Sequence, residues 1–451
     1  MTSATPLAQK FTARTLLRFA APSIGMMLVM SLYTITDGIF IGRFAGSNAL
    51  ASSNIVYPPI NLLYGLGIML ASGGSALVAK TLGEKKPQLA NAQFTFITVT
   101  SAVMGSILAL FIYLFFDPIL RFLGSTPELM ADCRNYLGVL LPFFPAAAML
   151  VIFNAFYIAD GRPIQGFFVS VASGITNAVL DYLFLAHWGM GILGAGLATG
   201  LADLLAVVTG LIYFTRYSRS LHFSPFAVRW NILKNTCSNG VSELVTQLSM
   251  AIITFLFNLL TLSYAGANGV AAITVILYAE MLLNAVFMGF TNGIAPIFSY
   301  HFGAKDSREL VRLLRLSLVI IAVSGLFSFG AAQILAAPLV HLFLPLGGEA
   351  AQITQTGFAL FSFSFLLSGF NIFGSGFFTA LSNGKTSAIL SFARNLAAIT
   401  LFLAILPRLF ALNGVWLAVP AADLTALLIT FFCLHCEAVR LRNSYHPPAS
   451  Q

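Results

Sequence analysis

Residues 92–115 read AQFTFITVTSAVMGSILALFIYLF, with Lys85 and Lys86 before them and Asp117 just after. No charge interrupts the run, and about 20 consecutive apolar residues suffice to cross a bilayer as an α-helix. A barrel strand would instead alternate in sidedness over about ten residues. Working outward, apolar runs bounded by charge, Pro/Gly or Asn clusters recur at 14–36, 52–80, 133–156, 164–186, 191–215, 236–263, 270–300, 312–335, 352–380, 386–406 and 412–436. Composition agrees: 58% of the 451 residues are hydrophobic and 8% charged, against about 25% charged in soluble domains. With a mean hydropathy of +0.89, too little polar surface remains to cover a globule in water. A soluble enzyme, a nucleic-acid module and a disordered tail are excluded. The expectation is an all-α integral membrane protein of twelve spanning helices. The first run follows Lys10, Arg14 and Arg18 but has spanning length and no small-residue cleavage site, so it reads as a retained helix and not a signal peptide.

The net charge of +8 reports topology, with no nucleic-acid partner implied. With a cytoplasmic N-terminus, eighteen cations fall on the inner side: Lys10, Arg14, Arg18, Lys80, Lys85, Lys86, Arg162, Arg216, Arg219, Arg229, Lys234, Lys305, Arg308, Arg312, Arg315, Lys385, Arg440 and Arg442. Arg43, Arg121, Arg134 and Arg408 fall outside, and Arg394 lies within a span. The positive-inside rule then places both termini in the cytoplasm. Of the four cysteines, Cys433 and Cys436 form a C-x-x-C without a second pair, inside an apolar run. That pattern builds neither a disulfide framework nor a zinc site.

The chain repeats itself at an offset of 220 residues. Ala45-Gly46, Asn48, Ala51, Gly73, Gly83, Lys85 and Pro118 match Ala265-Gly266, Asn268, Ala271, Gly293, Gly303, Lys305 and Pro338. Gly194, Leu197, Ala198, Ala202, Asp203 and Leu204 match Gly414, Leu417, Ala418, Ala422, Asp423 and Leu424, with gaps needed only around helices 4 and 10. Six helices per half make this a parallel repeat about an axis along the membrane normal. The expected organisation is an N-terminal lobe over 1–215, a cytoplasmic linker over 216–235 and a C-terminal lobe over 236–451. Two bundles facing a central cavity are suited to alternating access, which points to a transporter.

Ionisable groups inside a bilayer are costly and mark function. Six acids lie within spans: Asp37, Asp181, Asp203, Glu243, Glu280 and Asp423. Asp37 closes helix 1, where Pro22 frees a carbonyl and permits a bend. Asn177 and Asp181, and likewise Thr199 and Asp203, are four residues apart and share a helical face. Carboxylates, an amide oxygen and a hydroxyl are hard ligands suited to Na⁺ or to holding a proton. Asp423, as repeat mate of Asp203, suggests a symmetric packing role, and Glu243 lies near the expected start of helix 7, where an acid suits the helix dipole.

These residues sit in stretches that resemble the multidrug and toxic compound extrusion family of cation-coupled antiporters, over nearly the whole chain. They are Tyr33-Thr-Ile-Thr-Asp37-Gly-Ile-Phe-Ile-Gly42-Arg43, Ala76-Leu-Val-Ala-Lys-Thr-Leu-Gly83-Glu, Thr176-Asn177-Ala-Val-Leu-Asp181-Tyr, and Gly293-Ile-Ala-Pro296-Ile-Phe-Ser-Tyr300-His-Phe-Gly303-Ala. The resemblance implies a cation site in the N-terminal lobe made by Asp37, Asn177, Asp181 and Thr199. It also implies a polar network beside it from Tyr136, Asn154 and Asp203, and a helix-1 bend at Pro22. Some relatives use acids of helices 7 and 10 in the C-terminal lobe. Here helix 10 carries Asn371 and no acid, so Glu243, Glu280 and Asn371 are weaker candidates.

The expected function is efflux of a lipophilic organic cation driven by Na⁺ or H⁺, with no cofactor and no catalytic residue. The resemblance places it, as a monomer, in a bacterial inner membrane. The rival within the same superfamily is a flippase of lipid-linked saccharides, whose cavity needs several Arg or Lys to hold a polyanionic headgroup. Only Arg394 lies clearly within a span. A membrane enzyme is disfavoured because no two histidines are spaced as metal ligands and no acid–His pair stands out.

Overall fold

The computed structural model describes residues 6–218, 220–343 and 348–445; Arg219 and the chain ends lie outside the described residues. Among the described residues there are helices, turns and extended connections, and no strand. The spanning helices are α1 Ala13–Ala45, α2 Asn48–Gly83, α3 Pro87–Leu114, α4 Met130–Ala159, α5 Pro163–His187 and α6 Gly191–Tyr217. In the second half a continuous helical run over Trp230–Gly303 is broken at Gly266 into α7 (230–265) and α8 (267–303). Then follow α9 Ser307–Phe343 and α10 Glu349–Ala380. A last run is broken at Ala411 into α11 (384–410) and α12 (412–445). All twelve expected spans are present.

The 220-residue repeat is visible in the backbone itself. Left-handed residues mark equivalent turns: Gly46 (φ 93°) and Gly266 (φ 56°), Lys85 (φ 61°) and Lys305 (φ 58°), Gly191 (φ 59°) and Ala411 (φ 48°). Glycine adopts this region at little cost and alanine does not, so Ala411 is held there by the helices it joins. The gaps around helices 4 and 10 have a structural cause. Pro142 and Pro145 accompany a tight 3₁₀ turn at Leu141–Phe143 within α4, and a longer one, Ser362–Leu366, interrupts α10 without proline.

The halves meet where small residues let backbones touch. A Cβ on Gly83 would strike the Tyr300 carbonyl, and one on its repeat mate Gly303 would strike the Lys80 carbonyl. Gly73 packs on Thr236 and Gly240, while its mate Gly293 packs on Ala20 and Ser23. Close small-residue contact is how membrane helices associate when water cannot drive them together. Leu32, Ile107, Phe168, Phe327 and Phe432 are among the large apolar side chains left exposed on the outside, as expected for a lipid-facing surface.

One boundary differs from expectation. Helix α7 begins at Trp230, so Glu243 lies more than three turns inside it and not near its start. The polar opening of that helix, Trp230-Asn-Ile-Leu-Lys-Asn-Thr, falls outside the apolar run that hydropathy detects. The connection before it is anchored by Asp160, a buried acid (2% exposed) that the count of intramembrane acids passed over. Asp160 accepts hydrogen bonds from Tyr213 Oη (2.6 Å), Ser218 Oγ (2.8 Å) and the Ser220 and Leu221 amides (3.2 and 3.0 Å).

Candidate transport cavity and cation site

A cavity of about 390 Å³ opens among α1, α2, α4, α5 and α6 and is closed on its other wall by α7, α8 and α10. Its apolar lining includes Met26, Met27, Met30 and Met288. Unbranched thioethers adapt to ligands of different shape. The ionisable lining residues are Asp37, Asp203, Glu243 and the tyrosines Tyr33, Tyr57, Tyr64 and Tyr136; no Lys or Arg among the described residues lines it. Tyr57, Asn61 and Tyr64 occur at i, i+4 and i+7, one stripe of α2. Tyr33 stands one turn before Asp37. Those spacings were present in the sequence as signals for these tyrosines, which were not singled out there.

At the end of the cavity the carboxyl groups of Asp37 and Asp181 lie close together. Asp37 reaches the cavity, whereas Asp181 and Asn177 lie behind it with no exposure. Apart from the neighbouring carboxyl, Asp37 Oδ1, both oxygens of Asp181, Asn177 Oδ1 and Nδ2 and Thr199 Oγ1 have no hydrogen-bond partner among the described residues. Buried polar groups are rarely left so, and each of the four residues expected from the sequence carries at least one such atom. The helices are also irregular at this place. Just after Asp37 and just after Asp181, α1 and α5 widen into π turns at Ile41–Ala45 and Tyr182–His187. Such bulges frequently occur at functional sites.

Asp203 sits one turn beyond Thr199, receives Tyr64 Oη at 3.5 Å, and lies close to Tyr33 and Tyr136. Asn154 lines the cavity and accepts from Ser170 Oγ at 3.5 Å. Pro22 lies inside a helix that continues unbroken from Ala13 to Phe40, one residue before the cavity-lining Ser23.

The three weaker candidates separate. Glu243, with Gln247 one turn on, lines the same cavity from the α7 side. Glu280 and Asn371 do not line it. Asn371 donates to the Asp423 backbone carbonyl (2.9 Å) and Oδ1 (3.2 Å) and accepts from Thr430 Oγ1 (3.0 Å). Arg394 Nε donates to Asp423 Oδ1 at 2.6 Å, and Glu280 lies near both charges while accepting from Asn284 Nδ2 at 3.2 Å. Asp423 and Asp203 therefore do not play matching roles. Asp203 faces tyrosines; its repeat mate Asp423 is paired with a guanidinium. This corrects the expectation of symmetric packing, and the reason is Arg394, supplied by α11 alone.

A family model described as MatE matches residues 22–183 and 244–403, one segment in each half. The chain belongs to the MatE family. Among MatE-like relatives, the multidrug export protein MepA of Staphylococcus aureus (strain NCTC 8325 / PS 47) is 24% identical over 422 residues, 92% of each chain. The protein of that name from Staphylococcus saprophyticus subsp. saprophyticus is 23% identical over 410 residues, 89% of this chain and 87% of that one. Two solved structures share the fold at 21% identity and a TM-score of 0.92, each over 98% of this chain. One is a MATE protein in complex with MaL6, matched over its full length. The other is an outward-facing multidrug resistance MATE family transporter of the MOP superfamily, matched over 99%. As a MatE member this protein is a multi-pass membrane transporter and not an enzyme.

Proposed function

We propose that the protein exports lipophilic organic cations from a bacterial cytoplasm, driven by inward movement of Na⁺ or H⁺. The observation that carries this reading is the cavity wall: three carboxylates (Asp37, Asp203, Glu243), four tyrosines and flexible methionines, with no basic residue among the described ones. Acids and aromatic faces attract an organic cation, while a polyanionic saccharide headgroup would meet only like charge. The multidrug export role of the MepA relatives supports the same direction.

Coupling follows from the paired acids. Two carboxylates forced together away from water are stable only with a proton or a cation between them. Asn177 Oδ1 and Thr199 Oγ1 supply further hard oxygens for Na⁺. An organic cation held near Asp37 competes for the same negative charge, so arrival of the coupling ion weakens drug binding. Filling the site draws α1 toward α5 and α6, and Pro22 gives α1 a place to bend, reshaping the cavity for outward release. In this reading α1–α6 and α7–α12 form the two lobes, the connection between Tyr217 and Trp230 is the cytoplasmic linker, and both termini face the cytoplasm. The protein works as a monomer in the inner membrane.

The test is ethidium uptake into inside-out proteoliposomes under a Na⁺ gradient or a pH gradient imposed separately. Asp37→Asn should remove gradient-driven uptake while the purified protein remains folded and monodisperse. Full coupled uptake by that variant would overturn the assignment.

A further inference from the structure

We propose that a basic cleft at the membrane face shared by both termini is a binding site for the phosphate headgroup of an anionic phospholipid. The cleft, about 830 Å³, gathers Lys10 from the segment before α1, Arg308, Arg312 and Arg315 from the first turns of α9, and Arg442 from the end of α12. Residues 308, 312 and 315 follow i, i+4, i+7 and share one helix face. None of the cleft residues lines the transport cavity, so the site stands apart from the proposed coupling chemistry.

The charges are not balanced locally. Two acids border the cleft. Glu309 is buried, where it accepts from Arg312 (3.3 Å) and from the Phe11 amide (3.4 Å). Asp306 lies 3.8 Å from His301. Lys10, Arg308, Arg315 and Arg442 have no ion-pair partner among the described residues. Their backbones are nonetheless fixed, because neighbouring residues are sunk in the core: Leu7 and Phe11 beside Lys10, Leu310, Leu313 and Leu314 between the arginines, and Leu441 beside Arg442. The cations are thus presented outward from a packed base and need little ordering when a ligand arrives.

The internal repeat excludes a general excess of positive charge as the explanation. Subtracting 220, Arg308, Arg312 and Arg315 correspond to Gln88, Ala92 and Thr95 of α3. There the same face is covered by the connection between the halves: the His222 amide donates to Asn91 Oδ1 (3.2 Å) and the Ser224 amide to Thr95 Oγ1 (3.0 Å). One half receives protein on this surface through neutral side chains, and the other presents four unpaired cations. The apolar side chains of Val311 and Leu316 border the cleft, suiting the glycerol and upper acyl region of a lipid better than free phosphate. Basic pockets at helix ends on the cytoplasmic side recognise anionic headgroups in this way.

Lipid binding to the full chain, purified in phosphatidylcholine nanodiscs, would be followed by the thermal midpoint as phosphatidylglycerol is titrated in. The wild type should gain a saturable, salt-sensitive shift. Arg308→Gln/Arg315→Gln/Arg442→Gln should need about a hundredfold more phosphatidylglycerol for the same shift. The single variant Arg442→Gln should be weakened in part, and serves if the triple variant does not fold. Lys234→Gln/Lys385→Gln, on the same membrane face but outside the cleft, should behave as wild type. An undiminished shift in both Arg variants, or an equal loss in the Lys control, would overturn the site. The same saturable shift with inorganic phosphate alone would overturn the lipid as its occupant.

Discussion

At the scale of single residues, the proposed cation site depends on oxygens that the protein leaves unpaired. Asp37, Asn177, Asp181 and Thr199 come from three helices, and their buried side chains carry hydroxyl, amide and carboxylate oxygens without a hydrogen-bond partner among the described residues. Thr199→Val keeps the shape and removes one oxygen. It should raise the ion concentration for half-maximal driven uptake about tenfold, the worth of one lost ligand interaction; an unchanged value would remove Thr199 from the set. Arg394 and Asp423 provide the contrast, a pair with 13% and 2% side-chain exposure. Breaking it with Arg394→Met or Asp423→Asn alone should cost about 3–5 kcal/mol, lowering the thermal midpoint in detergent. The double variant should recover most of that loss, because neither charge is then stranded. Equal loss in the double variant would show that the pair matters through something other than charge balance.

At the scale of elements, the sequence was legible wherever an acid stood in an apolar run. Asn177 with Asp181, and Thr199 with Asp203, were readable because helical spacing alone puts them on common faces. Glu243 was misplaced because hydropathy locates the apolar part of a helix and not its first residue. Arg394 was visible as a cation inside a span, but its partner lies 29 residues away on the next helix, and no local pattern announces it. The π turns after Asp37 and Asp181 carry no sequence signature either; they are set by how the helix ends pack.

At the scale of the whole molecule, the two halves are held by repeated glycine contacts. Gly303→Ala would press a methyl group into the Lys80 carbonyl and should cost about 1–3 kcal/mol, seen as a lower thermal midpoint. Gly330→Ala in α9 meets nothing within 4 Å and should leave the midpoint unchanged or slightly higher; equal effects would mean that close approach of the halves is not what Gly303 provides.

The sequence by itself determined the twelve spans, the parallel repeat and which acids lie at membrane depth, since each follows from hydropathy, charge placement or periodicity along one chain. Only the tertiary structure decided that Asp37 lies close to Asp181, that Glu243 lines the same cavity as Asp37, and that Asp423 is paired with an arginine while Asp203 is not. Those facts depend on distances between helices far apart in sequence, which are set by side-chain packing and backbone approach.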